Sequence, residues 1–444
     1  MASLPIPNPD PDEVWREHRD QAVRSLRLLN QTAQQINSIL DLDALLDKVV
    51  NEVASAFNCS LSAVLLKDET SGDLLPAASA RGIELCRVRY RIGRDGMVGH
   101  AAAIGQTYYA PDVRRDPHYL RCADNTLSEA AIPLRVDGEL IGVFSAQRPQ
   151  VNGFSREDLQ VLESLAAHIA IAVRNARLFQ QERHEKAEAR QIQRSLFPTS
   201  LPEVPGFRVD GACLTAGAVG GDWYDFVPLR PTRRNRTLFH SSKPTPGLLG
   251  TPAWGLVIGD VCGKGMAAAL LMCSTRALVR SLLETYSSPS RVLVRLNRIL
   301  LNDLPKNRFI TMVLALLDPL NRTLTFANAG HPWPIHASGS VAESLTTTSG
   351  LPLGIDEGDY DDQVLYLRDD SRVLFYSDGV SDAAGSTAAE YGEERLRQHA
   401  LERDVCAQRV LAEVSSFCGG APLGDDATVI VVRSEEPPQL KLCF

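Results

Sequence analysis

Four aspartates in the second half of this chain share one setting, each beside small residues at or near the end of an apolar strand. They are Asp222 in Gly220-Gly221-Asp222-Trp223-Tyr224-Asp225, Asp260 in Ile258-Gly259-Asp260-Val261, Asp378 in Tyr376-Ser377-Asp378-Gly379, and Asp425 in Gly424-Asp425-Asp426-Ala427-Thr428. A carboxylate at a strand terminus is rigidly held, and adjacent glycines let carbonyls and waters approach a cation. Several convergent carboxylates without a Cys or His cluster suit hard, oxygen-seeking ions such as Mg²⁺ or Mn²⁺. Any one of these aspartates alone reads as a turn cap, because Asp-Gly turns are common. Four of them in one domain argue for shared chemistry.

The elements that must position them are strands at 254–258, 309–317, 324–327, 373–376 and 428–432, with helices at 266–285, 291–304 and 407–417. Strands come in pairs and helices in groups, which is the pattern of an α+β sandwich rather than of alternating βαβ units. A Pro-, Arg- and Ser-containing stretch at 230–252 lacks periodicity and reads as an insertion loop. Upstream, 14–40 has a helical stripe (Leu26, Leu29, Ala33, Ile36, Leu40), which fits either a coiled-coil seam or a helix packed on its own domain. Residues 42–57 read as an amphipathic helix, 61–67 and 74–80 as strands, and 97–104 as a short helix. Asp137-Gly138 between apolar runs predicts a tight hairpin turn. Ser155 with Asp158 predicts the capped start of a long helix that Pro198 and Pro202 stop.

At 444 residues, 44% hydrophobic and 23% charged, the chain is globular and too long for one core. Its formal net charge of −8 argues against nucleic acid as the main partner. No secretory leader pattern opens the chain, and the most apolar run, 265–273, is short for a bilayer span. Nine scattered cysteines with no C-x-x-C pair fit reduced thiols, so the expectation is a cytoplasmic protein without membrane contact.

Together with Gly263-Lys264-Gly265-Met266-Ala267-Ala268-Ala269 and Asn328-Ala329-Gly330-His331-Pro332, the four aspartate motifs resemble the bacterial branch of the metal-dependent protein phosphatase (PPM) superfamily. This is the group of the sporulation and stress-response sigma-factor phosphatases. The lead-in Gln193-Arg194-Ser195-Leu196-Phe197-Pro198 is similar to that group's start, and the match runs over about 191–433. The resemblance implies Asp222, Asp260, Asp378 and Asp425 as catalytic residues holding two ions, Mn²⁺ or Mg²⁺. Asp260 would bridge the two and the carbonyl of Val261 would complete one site. Asp225 and Asp426 would then hold waters or neighbouring ligands. Lys264 reads either as a phosphate contact ahead of a helix N-terminus or as a surface charge. His331 reads either as a proton donor or as a structural turn residue. The insertion is longer than this branch usually shows.

Residues 42–174 resemble a GAF domain through Gly96-Met97-Val98-Gly99, Pro111-Asp112-Val113, Ile132-Pro133-Leu134 and Gly138-Glu139-Leu140-Ile141-Gly142-Val143. The ligand is unknown; His100, Cys86, Cys122 and Asp112 are available, and a dimerisation module with no ligand fits the same residues. The expected organisation is an N-terminal helix (1–41), a GAF-like α/β/α sensor or dimerisation domain (42–174), a linker helix (175–198), a PPM-type αββα sandwich (199–434) and a tail (435–444). The resemblance implies metal-dependent phosphoserine/phosphothreonine hydrolysis on an anti-anti-sigma-like (STAS) protein under GAF control. A homodimer paired along the long helix is expected. The rival is a weakly active or non-catalytic ligand sensor or scaffold that uses the phosphatase fold to capture a partner.

Overall fold

The computed structural model describes residues 41–80, 88–122, 125–229, 252–346, 350–385 and 389–435. The helix expected at 14–40, Cys86, the insertion through residue 251 and the tail beyond 435 lie outside the described residues. The chain divides into two units, Met1–His184 and Glu185–Phe444.

In the first unit, α1 (Leu42–Ala56) begins where the Asp41 side chain accepts the Ala44 N–H, and its buried stripe follows helical spacing through Leu45, Leu46, Val49, Val50 and Val53. Strands β1 (Leu61–Lys67), β2 (Leu74–Ser79), β3 (Tyr108–Ala110), β4 (Ser128–Val136) and β5 (Glu139–Arg148) form an antiparallel sheet in the order β2-β1-β5-β4-β3. Asp137 and Gly138 join β4 to β5 with φ of 50° and 85°, the left-handed geometry that this tight turn demands. Helix α2 (Gly96–Ile104) contributes Met97, Val98 and Ala101 to a core with β1 and β5. On the other face, α1 packs with the start of α3 (Arg156–Leu196).

Helix α3 is capped reciprocally: the Asp158 N–H donates to Ser155 Oγ at 3.0 Å and the Ser155 N–H donates to Asp158 Oδ2 at 3.2 Å. Its first part buries Leu162, Leu165, Ala166, Ile169 and Val173. The linker expected at 175–198 is the continuation of this one 41-residue helix, which ends at Leu196.

The second unit is a four-layer sandwich. One sheet orders β14 (Gln363–Tyr366), β11 (Thr323–Ala329), β10 (Ile310–Asp318), β9 (Ala253–Val261) and β8 (Trp223–Leu229). The other orders β13 (Val341–Ser344), β12 (Ile335–Ser338), β15 (Arg372–Tyr376), β16 (Ala427–Ser434), β7 (Phe207–Leu214) and β6 (Glu203–Val204). Alternation along the strands supplies the two-sided burial. Phe226, Ile258, Val313 and Phe326 meet Val209, Val373, Phe375 and Ile430 between the sheets. Alternate residues face outward onto α4 (Met266–Leu283) and α5 (Pro289–Asp303) on one side. On the other they meet α7 (Glu393–Leu401) and α8 (Ala407–Phe417), with the one-turn α6 (Asp378–Ser381) at the end of β15.

Helix α4 departs from the sequence expectation. Its 18 residues, at mean hydropathy 1.4, are long and apolar enough to cross a membrane by length and composition, because the helical pattern runs past Arg276. Here Ala268, Met272, Val279 and Leu283 fill the sandwich core. Arg276 and Arg280 pair with the buried Asp225 of β8, at 3.0 and 2.6 Å. Removing one partner of a buried pair leaves charge uncompensated. We therefore expect Asp225→Asn to lower the stability of the second unit by about 3 kcal/mol in denaturant titrations followed by tryptophan fluorescence. A loss below about 0.5 kcal/mol would show that the pair does not anchor α4.

Candidate metal centre

The four aspartates meet at one edge of the sandwich because the strands that carry them run in complementary directions. Asp222 immediately precedes β8, and Asp260 sits next to the end of the antiparallel β9. Asp378 follows β15 by two residues and Asp425 precedes the antiparallel β16 by two. Asp222 is buried, and its Oδ2 accepts hydrogen bonds from Ser377 Oγ at 2.6 Å and Thr428 Oγ1 at 2.7 Å. These hydroxyls tie the two sheets together at the carboxylate. Asp426, also buried, accepts the Ala216 N–H at 2.8 Å and the Gly221 N–H at 2.7 Å, which fixes the backbone on which Asp222 stands.

Glycine makes the close approach possible. A Cβ on Gly221 would lie 2.7 Å from the Val261 carbonyl oxygen and 3.3 Å from Asp260 Oδ1, so the space between carbonyl and carboxylate exists only because no side chain fills it. A Cβ on Gly220 would collide with the Asp426 carboxylate. Burial, followed by the charge of Asp260, pushes the Asp222 carboxyl well above the usual range. Burial and then the charge of Asp378 push Asp260 up to about 7. Asp378 is raised by burial and then by Asp425. These acids therefore oppose one another's ionisation, and a divalent cation among them would reverse that penalty. The donor set is all oxygen, four carboxylates and one carbonyl, and it fits a hard divalent ion.

Around this cluster, Lys264 Nζ lies 3.1 Å from Asp425 Oδ2 and donates to the Gly424 carbonyl. It stands between Gly263 and Gly265, with φ of 96° and 80°, at the N-terminus of α4. The Arg308 guanidinium donates to the Cys262 carbonyl in the same turn. His331 is buried, its Nδ1 2.8 Å from Thr311 Oγ1, and burial pushes its imidazole down to about 3. Asn328 accepts the His331 N–H and donates to its carbonyl, so this motif is a braced turn, and Thr311 is the register partner of Asp260. Asp225 is turned onto Arg276 and Arg280 rather than toward the other acids.

Three further residues carry the geometry without having stood out in the sequence. Ser377 and Thr428 lie beside motif acids, and their hydroxyls were the available signal. Gln193, on the last turn of α3, is buried: its Nε2 donates to the Gly220 carbonyl at 2.7 Å and its Oε1 accepts the Gly220 N–H at 3.1 Å. Its sequence signal was its place at the head of the Gln193–Pro198 lead-in, where an uncharged amide follows a run of charged residues.

In the first unit, a small cavity is lined by Tyr90, Met97, Cys122, Glu129, Ser145 and Gln147. Glu129 is buried, accepts from Ser145 Oγ at 2.9 Å, and is pushed up to about 7 by that burial. Cys122 is disulfide-bonded, which corrects the expectation of reduced thiols at this position. Pairing is decided by the fold rather than by spacing, and Cys59, Cys213, Cys262, Cys273, Cys406 and Cys418 are free. Asp112 accepts two hydrogen bonds from the Arg114 guanidinium, which holds it down to about 2. His100 stacks on His118 at 3.8 Å. Among the described residues His399, Glu402 and Glu413 bring their ligand atoms within 4.8 Å of one another, but Arg409 already pairs with both carboxylates.

Comparison with known proteins matches residues 251–435 to the stage II sporulation protein E (SpoIIE) family and residues 41–173 to the GAF domain. The phosphoserine phosphatase RsbU of Bacillus subtilis is 28% identical over 262 residues, covering 57% of this chain and 71% of RsbU. The phosphoserine phosphatase RsbP of the same organism is 28% identical over 151 residues, covering 33% of this chain and 37% of RsbP. The SiaA-PP2C domain of Pseudomonas aeruginosa aligns at 20% identity with a TM-score of 0.47, over 58% of this chain and 98% of that domain. The chain thus carries a GAF domain followed by a SpoIIE-type domain, of the metal-dependent PPM class of serine/threonine protein phosphatases. Within that class it is homologous to RsbU and RsbP.

The hydroxyl pair on Asp222 makes a direct test. Groups that orient a metal ligand typically contribute 10- to 100-fold in metal affinity or activity. Calorimetric titration of Mn²⁺ into Ser377→Ala and Thr428→Val proteins should show affinity reduced by about tenfold or more. Wild-type affinity in both would show that Asp222 does not act as a ligand.

Proposed function

We propose that this protein removes phosphate from phosphoserine or phosphothreonine on a regulatory protein, an anti-anti-sigma-like (STAS) partner, using two Mn²⁺ or Mg²⁺ ions under control of its GAF domain. The carrying observation is the convergence of Asp222, Asp260, Asp378 and Asp425 with the Val261 carbonyl. In this reading Asp222, Asp260, Asp378 and Asp425 with the Val261 carbonyl would hold the ions, Asp260 being the ligand they would share. Two such ions supply an activated water and charge neutralisation for in-line displacement at phosphorus. Ser377 and Thr428 orient Asp222, and Asp426 fixes the backbone beneath it. Lys264, exposed and tied to Asp425, is placed to exchange that carboxylate for a phosphoryl oxygen of the substrate. Cysteine takes no part in the chemistry.

Control is proposed to run along α3. Gln193 holds both the N–H and the carbonyl of Gly220, two residues before Asp222, so a shift at the helix end would change how that carboxylate is held. The same helix leaves Ile171, Leu178 and Ile192 exposed at intervals of 7 and 14 residues, one stripe at heptad spacing. We propose that this stripe pairs with a second copy to form a homodimer. The GAF domain would occupy 42–174, the phosphatase domain 199–434, and a small-molecule ligand would belong to the GAF half.

Phosphate release from a phosphoserine-containing STAS protein with Mn²⁺ tests the chemistry. Asp260→Asn should lower the rate at least about 1,000-fold, as expected for an ion-organising charge worth ~4 kcal/mol in the transition state. Near-wild-type turnover would refute the assignment. For the dimer, light scattering at micromolar concentration should report twice the chain mass for the wild type and a single chain for Leu178→Asp. A monomeric wild type would end that part of the proposal.

A further inference from the structure

Beneath the last two turns of α3, within the second unit, lies a cavity of 270 Å³. Arg190 and Arg194 line it, four residues apart and both exposed. Like charges at this helical spacing repel, and neither guanidinium has an ion pair or hydrogen bond among the described residues. The opposite wall is apolar and aromatic: Leu214 at the end of β7, and the rings of Phe197 and Tyr224 with centroids 5.5 Å apart. Nothing in the fold accounts for two unpaired guanidiniums over an aromatic wall. An oxyanion between the arginines would remove their repulsion through charge-assisted hydrogen bonds, and an apolar body would fill the space below.

We propose that this cavity binds a small organic anion, a carboxylate, sulfonate or phosphate carried on an aryl or short apolar body. Its volume, near the lower end of ligand pockets, suits one or two rings. The position gives it a lever on the metal centre. Gln193 lines the cavity and grips Gly220, two residues from Asp222. Cys213, also in the lining, is the register partner of Thr428, whose hydroxyl holds Asp222. An occupant therefore touches Gln193 directly and reaches Thr428 through its strand partner Cys213. This coupling rests on the phosphatase reading; the binding does not.

The probe is 8-anilinonaphthalene-1-sulfonate, an aryl anion, titrated into the full chain by fluorescence, with N-phenyl-1-naphthylamine as its uncharged analogue. We expect saturable one-site binding of the sulfonate. Affinity should fall at least tenfold in the Arg190→Ala/Arg194→Ala protein, and the uncharged analogue should bind the wild type at least tenfold more weakly. An unchanged thermal midpoint would show that the double variant is folded, as is expected for two exposed side chains. Leu214→Trp, which fills the cavity and keeps both arginines, should also weaken binding. Sulfonate binding that survives in the double variant, or equal affinity for the two probes, would overturn the site. Saturation should change the rate of phosphate release in the wild type and leave the rate of the double variant unmoved. Confirmed binding with no change in rate would overturn the coupling to Asp222 alone.

Discussion

Mutual repulsion among carboxylates in a poorly solvated edge is the constraint on which the second unit depends. Water is kept from Asp222, and its nearest charged neighbour is another acid. Such an arrangement is costly unless hydrogen bonds and cations compensate it. The sandwich supplies the first kind of compensation through the Ser377 and Thr428 hydroxyls. The second kind is partly present as Lys264 beside Asp425 and is otherwise left for metal ions. Much of the local sequence follows from this need. Glycines at 220, 221 and 379 leave room for acids and carbonyls to crowd together, and a Cβ at any of the three would meet Asp426, Val261 or the 425–426 backbone.

The same constraint explains why support comes from several places. Thr428 lies in β16 and Ser377 just after β15 of one sheet, while Asp222 leads into β8 of the other, so the carboxylate links the two layers. Gln193 adds a third support from the helix. A carboxylate held this way responds to small shifts in any of them. Asp225, by contrast, belongs to the packing of α4 and does its work by fixing the helix that follows the Lys264 turn.

Much of this was legible in the sequence. The hairpin at Asp137-Gly138, the Ser155–Asp158 cap and the helix at Ala407–Phe417 follow from local chemistry, and the structure has them there. Glycine-flanked aspartates at strand ends drew attention to this acidic cluster, and the structure brings these acids within electrostatic reach of one another. Other features are set by tertiary contacts and leave little local trace. Strands β7 and β8 carry glycine and polar or charged residues that blur a period-2 pattern, and β12 to β14 are only four residues each. Asp225 looks like a fifth member of the acidic group until strand alternation sends its side chain to α4. His331 read as either a proton donor or a turn residue, and its burial and its bond to Thr311 make it a brace. Glu129 gave no signal at all, since a lone glutamate in an apolar strand says nothing about what surrounds it.

The central claim is that the four aspartates form a two-ion centre bridged by Asp260. Anomalous diffraction from crystals grown with Mn²⁺ tests it most directly. The account requires two peaks about 3.5–4 Å apart, both within bonding distance of Asp260, with the Val261 carbonyl on one of them. No ordered metal among these carboxylates at saturating Mn²⁺, or a single ion that leaves Asp260 unligated, would contradict it.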